Sequence, residues 1–384
     1  MVVNIEYYSN TCTLPFSILQ FLTVWEMGYP DLYPIYTGIG TMERKTGVLL
    51  IQLGTPKEPT VSAVRPYLRE FLSDPRVIDI PALLRYLLVY CIIAPFRAPK
   101  STKIYKELWE EAGGHSPLMT HTINLSSELN DILNDENITV HMAMRYQEPS
   151  MDHVMEEMRL KNYDRIIIIP LYPHYASSST GSSIQKAFEI MAQWWVIPEV
   201  VVVNQFYKEN FYLDALVEQA KQFDISSYDH IIMSYHGLPE RHVDKVYAQA
   251  NDLCGDHQCE TVLDETNKYC YKATSFETSR LLAEKLGLPE DQYTVSFQSR
   301  LDKKWITPFS DEVIEEFAKA GKKRLLVLSP AFVADCLETI IEIGSEYQEI
   351  FEEHGGEKVE LVPSCNTLSV WVNGLADFIR VKAH

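Results

Sequence analysis

Positive charge is scarce in this chain. Its 384 residues hold 34 Lys and Arg against 53 Asp and Glu, a formal charge of −19 at pH 7. That balance argues against a nucleic-acid partner gripped through its phosphates, and it suits encounter with cations. Phosphate loops are missing as well: neither GxGxxG nor GxxxxGK followed by Ser or Thr occurs, so nucleotide binding has no support. No GxSxG elbow points to a hydrolase. Uninterrupted apolar runs stay short of the roughly 18 residues that span a bilayer. The seven cysteines are an odd, scattered set that implies no disulfide framework and fits a reducing compartment. No Lys or Arg precedes Arg44, so the apolar stretch 13–25 lacks the positive flank of a secretory signal. Residues 1–41 read as an N-terminal extension outside the fold, as an upstream start would add.

What the chain does have is alternation. Strand-like apolar runs recur at 47–53, 138–144, 165–172, 198–206, 230–235, 292–298, 324–328 and 358–362. Segments with helical periodicity lie between them, among them 61–72, 123–133, 211–223 and 276–286. Such alternation calls for parallel sheets built from right-handed βαβ units. The runs divide four and four about a polar break at 224–229. The expected fold class is therefore α/β, with two doubly wound lobes of four parallel strands each, 42–224 and 225–384, and a C-terminal helix that could return to the first lobe.

In open parallel sheets, ligands bind beyond the carboxyl ends of the strands. His236 falls at such an end, on a turn fixed by Gly237 and Pro239. Taken alone it reads better as a loop histidine bonded to the backbone. A second group changes the balance. After the strand at 324–328 comes a helical stretch, with Asp335 a candidate N-cap, in which Glu338, Glu342 and Glu346 fall at i, i+4 and i+8 on one face. That row is either a solvated face or, inside a cleft, a path for cations or protons. The apolar stretch within 81–100, flanked by Arg85 and Arg97, is either an ordinary core helix or a lip over a flat apolar ligand, able to touch a bilayer surface. Arg145 and Tyr146 end the second strand, and the hydroxyl-rich loop 172–183 follows the third.

Taken together these residues resemble the ferrochelatase family. The resemblance runs from about Thr46 to Ile379 and rests on QLGTP (52–56), RAPK (97–100), GGHSPL (113–118), RY (145–146), YPHYASSSTGSS (172–183), SYHGLPERH (234–242), FQSRL (297–301) and AFVADCLETIIE (331–342). It implies two Rossmann-like, chelatase-like lobes around a porphyrin, with Fe2+ and protoporphyrin IX as substrates and no nucleotide, nucleic acid or required cofactor. His236 and Glu338 resemble the family's catalytic pair, and His236, Glu338, Glu342 and Glu346 its metal-handling groups. Leu53, Arg97, Arg145, Tyr146, Trp305 and Phe332 resemble residues that meet the porphyrin. A tyrosine stands at the place of Leu53 in members using coproporphyrin, so the protoporphyrin branch is the closer match. The family also leaves a 2Fe-2S cluster open at Cys254, Cys259 and Cys270, although Ser275 stands where a fourth cysteine is expected. A cytoplasmic protein, with membrane contact through 81–100, is the implied setting. The chemistry suits the residue types. An imidazole exchanges protons near neutrality, and a His–carboxylate set holds Fe2+ less tenaciously than thiolates do. The competing readings are a sirohydrochlorin-type chelatase and a porphyrin- or metal-binding protein without turnover.

Overall fold

The computed structural model describes residues 44–134, 136–247, 255 and 258–384. The extension read into 1–41 and the candidate ligand Cys254 lie outside these residues. Within Arg44–His384 the apolar runs become eight strands: β1 (Thr46–Gln52), β2 (Ile138–Met144), β3 (Arg165–Pro170), β4 (Glu199–Val202), β5 (His230–His236), β6 (Tyr293–Gln298), β7 (Arg324–Leu328) and β8 (Lys358–Leu361). They form two parallel four-stranded sheets, ordered β2-β1-β3-β4 and β6-β5-β7-β8. The two orders are the same pattern. This is a repeat of architecture that residue identities alone did not reveal.

Why these runs become central strands follows from burial on both faces. β1 is buried along its whole length, as is β3 with its four consecutive isoleucines. Alternate side chains of β1 serve different cores, as strand geometry requires. Leu49 and Ile51 pack with Met155, Met158 and Ile190 on one face. Val48 and Leu50 face the other way, into a core that continues through Leu129, Leu216 and Leu375 to Met233 and Phe297 of the second sheet. One apolar interior therefore joins the lobes.

The helix Ser369–Ala383 reinforces that union. It follows the last strand of the second lobe, yet it packs on Pro117–Leu133 and Asn210–Ala220. Trp371, Leu375 and Ile379 are wholly buried there. Arg165 of β3 caps its end by donating to the Lys382 carbonyl at 2.8 Å.

The apolar stretch within 81–100 belongs to something longer than its sequence suggested. Ala82–Glu111 is one continuous helix with a π-helical turn at Leu88–Ile93. By length and composition alone it could cross a bilayer. Its second half, however, is laid against the helix Val61–Leu72 and buries Ala98, Leu108 and Trp109. Arg85, the basic flank at its start, is buried and donates to the carbonyls of Ser73 and Ile80 at 2.8 and 2.7 Å. It clamps segment 73–80 to the base of the helix.

Candidate active site

Each sheet changes direction once, between β1 and β3 in the first and between β5 and β7 in the second. Crevices open at such points beyond the strand ends. Leu53 follows β1, and His236 ends β5. Phe332 and Glu338 come from the segment after β7, on a turn in which Phe332 N–H donates to the Ser329 carbonyl at 3.1 Å.

His236 is half-buried, with Trp305 and Phe332 at ring separations of 6.3 and 6.4 Å. Its Nδ1 lies 2.7 Å from the Gly237 carbonyl oxygen. A carbonyl can only accept, so Nδ1 carries the proton and the neutral ring keeps its lone pair on Nε2. The turn that holds this geometry has no room for a side chain at 237. A Cβ there would lie 2.8 Å from Gln298 O and 3.1 Å from the Trp305 ring.

The carboxylate row sits on a π-helical segment, Glu338–Glu346, that runs on into Tyr347–Glu353. Asp335, expected as its N-cap, does other work. Its oxygens accept from Ser364 N at 3.1 Å and Asn366 Nδ2 at 2.7 Å, and the helix begins at Glu338. Glu338 lies beside Cys336, whose thiol is pushed well up by burial and then by the charge of Glu338. The phenols of Tyr67 and Tyr105 are raised by burial and, further, by the same charge. Glu342 is anchored. Its Oε1 accepts from Ser299 N at 2.7 Å and Tyr347 OH at 3.2 Å, while its Oε2 accepts from Gln298 Nε2 at 3.0 Å and from Ser299 Oγ. A carboxylate has about four lone-pair sites, and here all four are taken. Glu346 is at the exposed end, and its carboxyl is raised by partial burial and by Glu342, Glu107 and Glu349.

The other sequence candidates divide into two groups. Leu53 is half-buried in a cluster with Val64, Tyr67, Phe71 and Tyr146. Arg97 is exposed on the long helix. Arg145 and Tyr146 are turned inward instead. Both donate to Asp74 Oδ2, at 2.6 and 2.9 Å, and Ser182 from the hydroxyl-rich loop joins them. Burial first and then Asp74 raise the Tyr146 phenol. A cavity of about 650 Å³ adjoins this network, lined by Arg69, Asp74, Tyr90, Arg145 and Lys186 but by none of His236, Glu338, Trp305 or Phe332. Asp74 carried no motif signal, and neither did Asp79; Gln298, described below, lay within the FQSRL motif but was assigned no role.

The cysteine set is partly assembled. Cys259 and Cys270 are buried with their sulfurs 3.8 Å apart, and Tyr247 OH is 3.2 Å from Cys259. Ser275 is buried too, but its hydroxyl already donates to the Tyr271 carbonyl at 2.8 Å. A 2Fe-2S cluster takes four ligands, and the described residues offer two thiols.

Asp79 ties the lobes together. Arg241, within the histidine motif, and Lys245, just past it, donate to it at 2.7 and 2.6 Å, and His242 Nε2 lies 3.3 Å away.

Two doubly wound sheets, with a histidine at the switch point of one and a carboxylate row on the helix that follows β7, define a two-lobed α/β protein. More particularly, the chain belongs to the ferrochelatase family, whose model matches residues 45–383. A ferrochelatase of Legionella pneumophila (strain Lens) is 42% identical over 337 residues, 88% of this chain and 99% of its own length. One from Coxiella burnetii (strain Dugway 5J108-111) is 41% identical over 341 residues, covering 88% and 93%. Among solved structures, SirB from Bacillus subtilis with Fe3+ aligns at a TM-score of 0.48 and 11% identity, covering 88% of this chain and 96% of that one. A likeness so distant bears on neither substrate nor mechanism.

Proposed function

We propose that the protein inserts Fe2+ into protoporphyrin IX, exchanging the two pyrrole N–H protons for the metal to give protohaem and two protons. Family membership supports ferrous insertion into a porphyrin. The observation that carries the reading to particular atoms is the His236 tautomer. With Nδ1–H spent on the Gly237 carbonyl, Nε2 offers a lone pair beside the Trp305 and Phe332 rings. In this reading it accepts a pyrrole proton as the metal enters. Glu338 supplies the partner carboxylate, Glu342 a fixed negative charge, and Glu346 a group at the exposed end that can pass protons or cations. The apolar Leu53, packed among aromatics, supports protoporphyrin as the ring. Iron is a substrate here, and no resident cofactor is required.

A cytoplasmic setting with peripheral membrane contact through 81–100 belongs to the same proposal. Leu83, Leu84, Leu87, Ile92 and Phe96 are all exposed on the long helix, which supports the membrane contact.

The test is anaerobic Fe2+ insertion into protoporphyrin IX, followed by absorbance, for the intact protein and His236→Ala. Turnover by the intact protein is expected, with a loss of at least about 100-fold in the variant, the scale of a missing general base. Porphyrin bound by the intact protein without metallation would make it a carrier. Turnover of sirohydrochlorin in place of protoporphyrin would move it to the rival chelatase class.

A further inference from the structure

Gln298, at the end of β6, touches both halves of the site. It is 1% exposed. Its Nε2 donates to the Glu338 carbonyl at 2.9 Å and to Glu342 Oε2 at 3.0 Å, while its Oε1 accepts from Ser234 Oγ at 2.8 Å. The amide orientation is forced, because a carbonyl and a carboxylate oxygen on one side can only accept. That choice orders the buried hydroxyls behind it. Ser234 spends its proton on Gln298, so it accepts from Ser310 at 2.9 Å, and Ser310 accepts in turn from Ser296 at 2.8 Å. The Gln298 backbone carbonyl also receives the Gly237 N–H at 2.8 Å, in the turn that bears His236. Next to it, Ser299 is held at φ +63°, a left-handed conformation that serine rarely adopts. Its N–H and hydroxyl both point to Glu342.

We propose that Gln298 is a positioning residue for metal insertion, fixing the His236 turn and the Glu338–Glu342 helix in one frame. The inference deepens the function proposed above and rests on it for its kinetic meaning. β5, β6 and the segment after β7 meet at this one side chain. Without it, the carboxylate helix loses the bonds at the Glu338 carbonyl and Glu342 Oε2 and its link through Ser234 to β5, and keeps only the Ser299 and Tyr347 bonds to Glu342. Gln298 does not touch the substrates in this scheme. It acts through groups that do.

Gln298→Met keeps nearly the same shape and removes both amide partners. Its kcat for Fe2+ insertion should fall about 10- to 100-fold, the scale expected when a reacting group shifts by roughly 1 Å. Porphyrin affinity, measured by fluorescence without metal, should stay within about two-fold, because the apolar pocket is untouched. A kcat unchanged within about two-fold overturns the assignment. So does a parallel loss of kcat and porphyrin affinity, which would mark general structural damage. Should Gln298→Met fail to fold, Gln298→Glu decides. It keeps the shape and replaces the amide donor with an oxygen facing the Glu338 carbonyl and Glu342, so an unchanged kcat there overturns the proposal and a selective fall with porphyrin affinity kept supports it. Crystal structures of the intact and Gln298→Met proteins test the geometry apart from turnover. Displacement of His236 or Glu342 by about 1 Å supports the positioning role, and unmoved side chains sink it even if the protein metallates nothing.

Discussion

Gly54 concentrates a great deal of the fold at one residue. It follows Leu53 with φ at +110°, and a Cβ built there would lie 1.9 Å from the Tyr146 carbonyl oxygen. That carbonyl belongs to a backbone already tied down, since Tyr146 N donates to Leu53 O at 3.0 Å and Tyr146 OH donates to Asp74. Neither the torsion nor the contact can relax alone. Gly54→Ala should cost at least ~3 kcal/mol in denaturant unfolding, well above the usual single-residue effect. A loss under ~1 kcal/mol would mean that the loop after β1 lifts freely. The same contacts explain what the QLGTP and RY motifs could not say by themselves. Leu53, Gly54, Arg145 and Tyr146 are pieces of one local construction whose anchor, Asp74, lies 71 residues before Arg145 and advertises itself by no spacing.

At the scale of elements, the strands were the legible part. β2 and β7 have the very ends read from their apolar runs, and β1, β5 and β6 differ by a residue at one end or both, because buried parallel strands are continuous in hydrophobicity. β4 is shorter than its run because it is an edge strand paired only with β3 along 199–202. Helix Ala82–Glu111 was not legible as one piece. Its composition turns from apolar to charged midway, and Pro99 stands inside it without an N–H to give. The histidine and the acidic row were visible as residue types at strand ends, whereas Gln298 and Asp79 act only through partners distant in sequence. Asp79 is the clearer case for a test. Burial pushes its carboxyl up, but hydrogen bonds from Arg241, Lys245 and His242 outweigh that and hold it well below the usual carboxylate range. A lowered folded pKa means the unfolded chain binds more protons, so stability rises with pH. The contribution is complete above about 3.9, the ordinary Asp value, and is lost as pH falls toward the folded pKa. Asp79→Asn should therefore destabilise by roughly 1–2 kcal/mol near pH 7, given the exposure of two of its cations. The gap from the intact protein should narrow below about pH 4. A gap that is constant with pH would show that the carboxylate's charge is not what joins Arg85's clamped segment to the helix behind His236.

At the scale of the whole molecule, charge and apolar surface pull against each other. A protein of net charge −19 is repelled by anionic lipid. Yet the long helix leaves Leu83, Leu84, Leu87 and Phe96 more than half exposed. If the proposed membrane contact is made, the apolar side chains must drive it, since burying each is worth roughly 1.5–3 kcal/mol. Arg97 and Lys100 lie nearby on the same helix and supply only local attraction. Binding should then be as strong to zwitterionic phosphatidylcholine vesicles as to vesicles containing phosphatidylglycerol. Raising the salt from low to high should leave it unchanged or strengthen it, because screening weakens the repulsion and spares the apolar term. Replacing Leu83 and Leu87 together by Asp should reduce co-sedimentation with either vesicle by at least about ten-fold, while porphyrin metallation in detergent-free buffer is retained. The opposite pattern would be binding that requires anionic lipid, collapses with salt and survives the Leu83 and Leu87 changes. It would assign the contact to a basic surface and not to the exposed helix face.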